Sequence, residues 1–201
     1  MFISFEGIDG SGKGTQIKLF AEYLQKKGID FVIVREPGGT EVGELIRSLL
    51  LNSDLKIYPR TELLLFLASR AQIVDEVILP ALRAGKTVIS DRFIDSSVAY
   101  QGVGRGIGFE LVEELNRFAT SDVKPDLTFY LDITPETSLK RKMIKDRMEK
   151  NGIEFLNKVR EAYLMIAQKE PNRVVVINGE RNIDEIHAEI VEIFEKRSKS
   201  L

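Results

Sequence analysis

The sequence predicts one domain over residues 1–201 with a three-layer α/β/α architecture, in which helices cover both faces of a five-stranded parallel sheet. Short apolar segments rich in strand formers alternate along the chain with segments whose apolar residues recur at helical spacing. Such alternation is typical of parallel strands joined by helical crossovers. No linker rich in proline, serine or glycine interrupts the 201 residues. The predicted strands are 2–5, 31–35, 87–91, 127–131 and 173–177.

Composition excludes several classes of function. The formal net charge of −2 provides no global positive field for nucleic acid or an anionic membrane. The absence of cysteine excludes disulfides and thiolate metal sites. The first apolar residues reach Glu6 too soon for a signal peptide, and no apolar run approaches membrane-spanning length. We therefore expect a cytoplasmic, soluble protein with neither nucleic-acid nor membrane partners.

The first predicted strand leads into a glycine-rich turn that is followed by a helical pattern. In this context, the motif predicts a phosphate-binding loop; it consists of a glycine, any four residues and then Gly-Lys. Its backbone N–H groups would form a nest for phosphate oxygens, and Lys13 would reach the terminal phosphates of a nucleotide. The alternative is a turn that binds nothing, and the complete motif argues against it. The predicted nucleotide-binding residues of this turn are Gly7, Ile8, Asp9, Gly10, Ser11, Gly12, Lys13, Gly14 and Thr15.

Position 14 departs from the common phosphate-loop pattern, in which a serine or threonine hydroxyl binds Mg²⁺. Because Gly14 has no hydroxyl, the ion must keep more water or use another carboxylate. Asp91 ends the third predicted strand, where phosphate-loop proteins commonly carry the second arm of the Mg²⁺ site. We expect Mg²⁺ as a cofactor that Asp91 binds through water. The segment Gly-Lys-Gly-Thr-Gln also resembles the loop of adenylate kinases, so the departure fits phosphotransfer.

Charged residues and glycines concentrate where the predicted strands end, which is where parallel sheets bind ligands. Arg35 precedes Pro37 and two glycines that allow the backbone to approach a ligand. A solvated arginine beside an ordinary loop is the alternative. Arg92 follows Asp91 and could bridge acceptor and donor phosphates, while a structural Asp–Arg pair is the alternative there.

A long helical pattern over residues 60–83 has an apolar arc wider than one sheet-facing side requires. It predicts a second buried face, as in a homodimer interface. Phe66 and Arg70 share one side of this helix, and their ring and guanidinium suit a base and a phosphate, although Phe66 alone would read as core. Tyr100 and Gln101 offer a ring and an amide suited to reading a base edge. The glycines at 102–108 predict a flexible loop.

Five segments now make a resemblance specific. They are Phe-Glu-Gly-Ile-Asp-Gly-Ser-Gly-Lys at 5–13, Arg-Glu-Pro-Gly-Gly-Thr at 35–40, Ser-Arg-Ala-Gln at 69–72, Asp-Arg-Phe with Ser-Ser-x-Ala-Tyr-Gln-Gly at 91–102, and Pro-Asp-Leu-Thr-Phe-Tyr-Leu-Asp at 125–132. In order and over nearly the whole chain, they resemble thymidylate kinases. The resemblance implies a fold of the P-loop NTPase type, a dimer, and transfer of the γ-phosphoryl group of ATP to dTMP, giving dTDP and ADP.

The resemblance also implies roles at the acceptor phosphate and sugar. Asp9 engages the sugar hydroxyl of dTMP, and Arg35 and Arg70 hold its phosphate. Pro37 lies in the same acceptor site. Asp9 thereby joins Lys13 and Arg92, which the residues themselves indicate, as a predicted catalytic residue.

At the base, the family stacks thymine on the residue at Phe66 and reads it with Gln101 and Arg70. Tyr100 lies near the sugar and disfavours a ribose. Ser97 lines the same pocket. These assignments come from the resemblance and not from spacing.

The charged segment at about 140–152 corresponds to the mobile lid of the family, whereas the residues alone indicate a solvated helix face. Because Gly10 stands where some members carry arginine, a catalytic arginine is expected from the lid. Arg147 is the first candidate, and Arg141 and Lys145 are the alternatives. Arg141 is also placed against the adenine of ATP by similarity.

Two other functions remain open at the level of the sequence. A kinase for another nucleoside monophosphate, or for a free deoxynucleoside, would use the same nucleotide site. The free nucleoside would require a carboxylate base near its hydroxyl, whereas a phosphate acceptor is already ionised. A nucleotide-dependent switch would bind ATP and phosphorylate no monophosphate.

Overall fold

The computed structural model describes residues 1–52, 55–141 and 152–198. Its five strands form one sheet in the order β2-β3-β1-β4-β5, with every neighbouring pair parallel. This confirms the predicted three-layer fold, because helices cover both faces. The strands are β1 (Phe2–Glu6), β2 (Phe31–Arg35), β3 (Thr87–Asp91), β4 (Leu127–Asp132) and β5 (Val174–Asn178).

Helices connect the strands and enclose the sheet. Two π-helical segments, Val74–Ile78 and Val98–Gly104, continue α3 into α4 and extend α5. In the described ranges, no helix is both long and apolar enough to cross a membrane. The helices are α1 (Lys13–Lys26), α2 (Glu41–Leu51), α3 (Pro59–Ile73), α4 (Leu79–Arg83), α5 (Ile94–Ser97), α6 (Phe109–Ala119), α7 (Pro135–Arg141), α8 (Gly152–Lys169) and α9 (Ile183–Ser198).

The two faces of the sheet differ in chemistry. Alternate residues of β1 point to opposite faces, so Phe5 packs with Phe20 and Phe129 beneath α1 and α9, and Phe20 in turn packs with Phe194. The opposite face carries polar groups among its apolar residues. These include a fully buried carboxylate, Glu6, at the end of β1.

Glu6 connects three segments that are distant in sequence. It accepts hydrogen bonds from Phe93 N at 2.7 Å, from Ser96 Oγ at 2.6 Å and from Tyr163 Oη at 2.9 Å. Burial, together with the nearby charge of Asp95, raises the pKa of Glu6 from 4.5 to about 7. The hydrogen bonds only partly offset these causes. The end of β1 is thereby fixed to the segment after β3 and to α8.

The expectation of a flexible loop at the glycines is wrong for the residues up to Gly104. The segment Val98–Gly104 is π-helical, and Gly102 is buried. A Cβ atom on Gly104 would lie 2.8 Å from the ring of Phe155 on α8. The glycine is therefore needed for close helix packing. The sequence pattern could not show this because Phe155 is remote along the chain.

We predict that Glu6→Gln changes the pH dependence of stability. The folded chain holds a proton on Glu6 up to about pH 7, whereas an unfolded chain releases it near 4.5, so the unfolding free energy falls as pH rises through this interval. Glutamine does not titrate, and it can replace the hydrogen bonds of the protonated acid. The stability of the variant relative to the original chain should therefore rise from pH 5 to 8, by on the order of 3 kcal/mol. Urea unfolding at several pH values measures it.

Glu170→Gln is the matched control. The hydrogen bonds of Arg173 and Lys124 outweigh burial and lower the pKa of Glu170 to about 2. Its contribution is lost only as pH falls below about 4.5, so this control should show a flat difference between pH 5.5 and 8. A flat difference for Glu6→Gln as well would contradict the buried, protonated state of Glu6.

Candidate active site

A cavity of about 480 Å³ lies at the carboxyl ends of the central strands. Most of the residues predicted to bind ligands line it, although they come from separate segments. Gly7, Ile8 and Ser11 are buried behind this surface and are not part of the lining. The predicted residues that line the cavity are Asp9, Gly10, Gly12, Lys13, Gly14, Thr15, Arg35, Pro37, Phe66, Arg70, Asp91, Arg92, Ser97, Tyr100 and Gln101.

The turn after β1 has the geometry of a phosphate cradle. Gly7 has a φ of +144°, and a Cβ atom there would lie 2.6 Å from the carbonyl oxygen of Leu131. Gly12 precedes α1 in a left-handed conformation, and no side chain caps the helix. The first N–H groups of α1 therefore face the cavity at the positive end of the helix, where an anion is stabilised.

Lys13 is buried at the start of α1. Its Nζ donates to the carbonyl oxygens of Gly7 at 2.9 Å and Ile8 at 3.4 Å. Burial, reinforced by the charge of Arg92, lowers the pKa of Lys13 to about 8 although Asp9 opposes the shift. A phosphate oxygen beside Nζ would favour the charged ammonium, so the site is suited to bind an anion.

The backbone of Arg92 is held in an unusual conformation. Its φ is +71°, in the left-handed region that a non-glycine residue adopts only when surrounding contacts hold it there. Its N–H donates to the carbonyl oxygen of Phe5 at 3.0 Å, and its own carbonyl accepts from Ser90 Oγ at 2.5 Å. The next N–H, of Phe93, donates to Glu6. These bonds fix the direction in which the side chain leaves the sheet.

The side chain of Arg92 reaches across the cavity to the phosphate loop. Nη2 lies 2.5 Å from Oδ1 of Asp9, and Nη1 donates to Ser96 Oγ at 3.3 Å. The guanidinium carbon lies 5.4 Å from the ring centre of Tyr100. The cation is thus positioned between the phosphate loop and the end of β3.

Two more arginines border the cavity beside β2. Arg35 is half exposed and pairs with Glu44 at 2.9 Å. Arg47, on α2, donates to the carbonyl oxygen of Pro37 at 2.7 Å. Arg47 is not among the residues that the sequence predicted for the site. The sequence feature that could have indicated it is Thr40. This residue caps α2 by accepting a hydrogen bond from the N–H of Gly43, and α2 then runs past the cavity.

Arg70 lines the cavity, but its donors are already engaged. Nε donates to Glu36 Oε2 at 2.7 Å, Nη1 donates to Ser97 Oγ and Asn116 Oδ1, and Nη2 donates to the carbonyl oxygen of Phe93. Contact with an acceptor phosphate would require one of these bonds to be exchanged. The expected phosphate-holding role therefore stays a prediction.

Glu36 is the buried partner of Arg70 and also lines the cavity. Burial raises its pKa, and the charge of Arg70 only partly offsets the effect. Its Oε1 has no hydrogen-bond partner in the described residues. Sequence reasoning did not select Glu36, although it lies within the Arg-Glu-Pro segment.

Phe66, Tyr100 and Gln101 also line the cavity. Gln101 is buried and donates from Nε2 to Oε1 of Glu62 at 2.9 Å. Glu62 in turn pairs with Arg105 at 3.2 Å. Glu62 is not among the residues predicted from the sequence, because a glutamate in the first turn of a helix is explained by its favourable interaction with the helix dipole.

Asp91 has the features expected of a carboxylate that holds a hydrated ion. It lines the cavity, and its Oδ1 is buried without a hydrogen-bond partner in the described ranges. Those ranges contain no group of three or more histidine, aspartate or glutamate side chains that could hold a metal. One carboxylate with waters and substrate phosphates is a common Mg²⁺ environment, so the residues fit this ion.

Arg141 lies beside the phosphate loop and outside the cavity lining. Its Nη1 donates to the carbonyl oxygens of Gly179 at 3.0 Å and Gly10 at 3.3 Å. Arg141, which the resemblance places against adenine, thus contacts both the phosphate loop and the turn after β5. Arg147 and Lys145 lie outside the described residues, as does most of the predicted lid.

Comparisons with known proteins agree with this geometry. The model of the family described as thymidylate kinase matches residues 5–190. A thymidylate kinase of Kosmotoga olearia is 51% identical over 197 residues, which cover 96% of this chain and 95% of that protein. A thymidylate kinase of Fervidobacterium nodosum is 54% identical over 196 residues, covering 96% of this chain and 98% of the relative.

A solved structure shows the same relationship in three dimensions. The crystal structure of thymidylate kinase from Ehrlichia chaffeensis matches with a TM-score of 0.83 at 40% identity, over 96% of this chain and 98% of that chain. Sequence, fold and the arrangement of the phosphate loop therefore lead to one conclusion: the chain belongs to the thymidylate kinase family.

Proposed function

We propose that the protein transfers the γ-phosphoryl group of ATP to dTMP, giving dTDP and ADP for dTTP synthesis in the cytoplasm. One observation carries this proposal: the phosphate cradle with Lys13 and the guanidinium groups of Arg35, Arg47 and Arg92 border the same cavity. Such a cavity suits a donor phosphate and an acceptor phosphate that must come into contact for transfer. Because the acceptor is already ionised, the protein needs mainly to align the groups and neutralise their charge.

The donor side is formed by the phosphate loop. The N–H groups at the start of α1 and the ammonium of Lys13 would hold the β- and γ-phosphates of ATP. Arg141 and Gly179 would border the adenine, because both lie against the loop. Asp91 would hold Mg²⁺ through water, and the bound ion would supply further positive charge to the phosphates.

The acceptor side is formed by the ends of β2 and β3. Arg92 would lie between the two phosphates, and Arg35 and Arg47 would face the acceptor phosphate, with Pro37 beside them. Asp9, at 2.5 Å from Arg92, would accept from the sugar hydroxyl while remaining paired. Arg70 would hold the same phosphate only by exchanging one of its bonds.

The base would lie against Phe66 and Gln101. Phe66 offers a face for stacking, and Gln101 an amide that borders the same space. Ser97 and Tyr100 line the region where the sugar would lie. Arg147 remains the proposed catalytic arginine of the lid.

A homodimer accounts for an exposed apolar surface on three neighbouring helices. α2 packs on α3 and α3 packs on α6. Each presents large apolar side chains to solvent, among them Leu45 at 65%, Leu64 at 60% and Phe118 at 88% exposure. An apolar surface across adjacent helices is typical of a protein interface. This extends the second buried face that the sequence predicted for residues 60–83.

A substrate panel tests the proposed activity. We expect ATP-dependent formation of the diphosphate from dTMP, with much lower kcat/KM for UMP, CMP and AMP and none for thymidine. A coupled assay of ADP release, with the products resolved by chromatography, measures it. Release of ADP without any phosphorylated acceptor would instead indicate a nucleotide-dependent switch.

We predict that Arg92→Ala lowers kcat/KM for dTMP at least about tenfold, since even a single charge-assisted bond contributes ~1.5 kcal/mol. A greater loss, up to ~10³-fold or more, is expected if the cation acts on the transferring group. Lys13→Ala should lower activity similarly. The melting temperatures show whether the variants fold.

Arg181→Ala is the matched control, because Arg181 also pairs with a carboxylate, that of Glu189, yet is absent from the cavity lining. It should retain full activity. A folded Arg92→Ala or Lys13→Ala protein with undiminished kcat/KM would contradict the mechanism.

If the protein is a dimer, a charge placed in the exposed apolar surface should weaken it. Leu45→Asp should raise the dissociation constant of the dimer by about tenfold or more, because burying an unpaired carboxylate costs several kcal/mol. Sedimentation velocity over a concentration series measures this. Ile183→Asp introduces the same charge at another exposed apolar position, on α9, and should leave the dimer intact. A monomeric original chain whose stability is unchanged on dilution would exclude the dimer.

A further inference from the structure

We propose that Glu62 is a positioning residue that fixes the amide orientation of Gln101, and that this orientation selects acceptor nucleotides whose base carries an N3–H group. Thymine and uracil have that donor, whereas N3 of cytosine is an acceptor. The inference rests on the proposed function, because it concerns the nucleotide that accepts the phosphoryl group. It adds a reason why the amide presents oxygen, and not nitrogen, to the base.

The surroundings of Glu62 make it an acceptor of hydrogen bonds. The residue is fully buried in the first turn of α3. Arg105 donates to both of its oxygens, from Nε to Oε1 and from Nη2 to Oε2, each at 3.2 Å. The guanidinium carbon of Arg105 lies 4.9 Å from the ring centre of Phe155, which restricts its position. A carboxylate paired with this arginine accepts hydrogen bonds and donates none.

This constrains Gln101, whose side chain has one donating and one accepting end. Nε2 donates to Glu62 Oε1 at 2.9 Å. If the amide were reversed, its oxygen would face the oxygen of a buried carboxylate, and Nε2 would lose this acceptor. Two buried acceptors in contact are costly because neither can be satisfied. Glu62 therefore keeps the nitrogen of Gln101 away from the base.

The atom of Gln101 that remains for a ligand is Oε1. Gln101 lines the cavity, and its Oε1 has no hydrogen-bond partner among the described residues. An acceptor fixed at this wall is matched by the N3–H of thymine or uracil, but it would face the N3 lone pair of cytosine. Arg70 cannot reverse this preference without giving up a bond, since each of its nitrogens already donates to the protein.

The test is Glu62→Gln, which keeps the size of the side chain but gives it a donating nitrogen. Gln101 could then turn its oxygen to position 62 and offer Nε2 to cytosine. We expect the ratio of kcat/KM for dTMP to kcat/KM for dCMP to fall about tenfold or more. Glu62→Asp remains an acceptor only, so it should retain the ratio even where KM for dTMP rises. A merely structural role would lower activity on both substrates alike.

Two controls complete the design. Glu170→Gln makes the same chemical change at another carboxylate paired with arginine, outside the cavity, and should leave the ratio unchanged. The original chain should phosphorylate dUMP better than dCMP, a comparison that requires no variant to fold.

An unchanged ratio in a folded Glu62→Gln protein, or equal kcat/KM for dUMP and dCMP in the original chain, would overturn the role of Glu62 while dTMP kinase activity remained. If the original chain phosphorylated none of these monophosphates, the proposed function itself would fail. The two failures are therefore distinguishable.

Discussion

The site depends on one buried carboxylate, Glu6, and on the hydrogen bonds that it accepts. These bonds hold Phe93, Ser96 and Tyr163 at the end of β1, immediately before the phosphate loop. The bond to Phe93 also fixes the left-handed backbone of Arg92. A carboxyl group is costly to bury in either protonation state, so its position here is explained by the segments that it connects. The phosphate loop and Arg92 are thus both anchored to the same side chain.

The two faces of the sheet therefore have different roles: one is packed with apolar side chains, and the other carries buried polar and charged groups. Beneath α1 and α9, aromatic and aliphatic side chains fill the space, and their packing holds the central strands in place. On the opposite face, Asp95 and Arg173 form a buried ion pair at 2.7 Å below the same segment that carries Arg92. Such a pair contributes little net stability but strongly disfavours other arrangements of its neighbours, because separating it would leave charges buried alone.

Local features of the chain were predictable from the sequence. The phosphate loop and its flanking strand and helix follow from residues that are adjacent in the chain, and the five strands lie within one residue of their predicted bounds. Glu62 was not predictable, because its importance arises from contacts with Gln101 and Arg105, which are distant along the chain. For Arg47, the cap at Thr40 indicated the helix but not the contact of the side chain with Pro37. Gly104 shows the same limit. The glycine-rich sequence around it indicates flexibility, whereas the close approach of the Phe155 ring on α8 requires a glycine there.

Arg70 shows how correct placement can leave a role undecided. The spacing from Phe66 placed both side chains at one cavity, and both line it. Spacing could not show that Glu36, Ser97 and Asn116 already accept from its guanidinium. Glu36 also lies 2.6 Å from Nη2, so the buried guanidinium of Arg70 is held by the protein through all three of its nitrogens. In the proposed reaction, neutralising an acceptor phosphate would therefore fall chiefly to Arg92, Arg35 and Arg47, because Arg70 would first have to give up a bond within the protein.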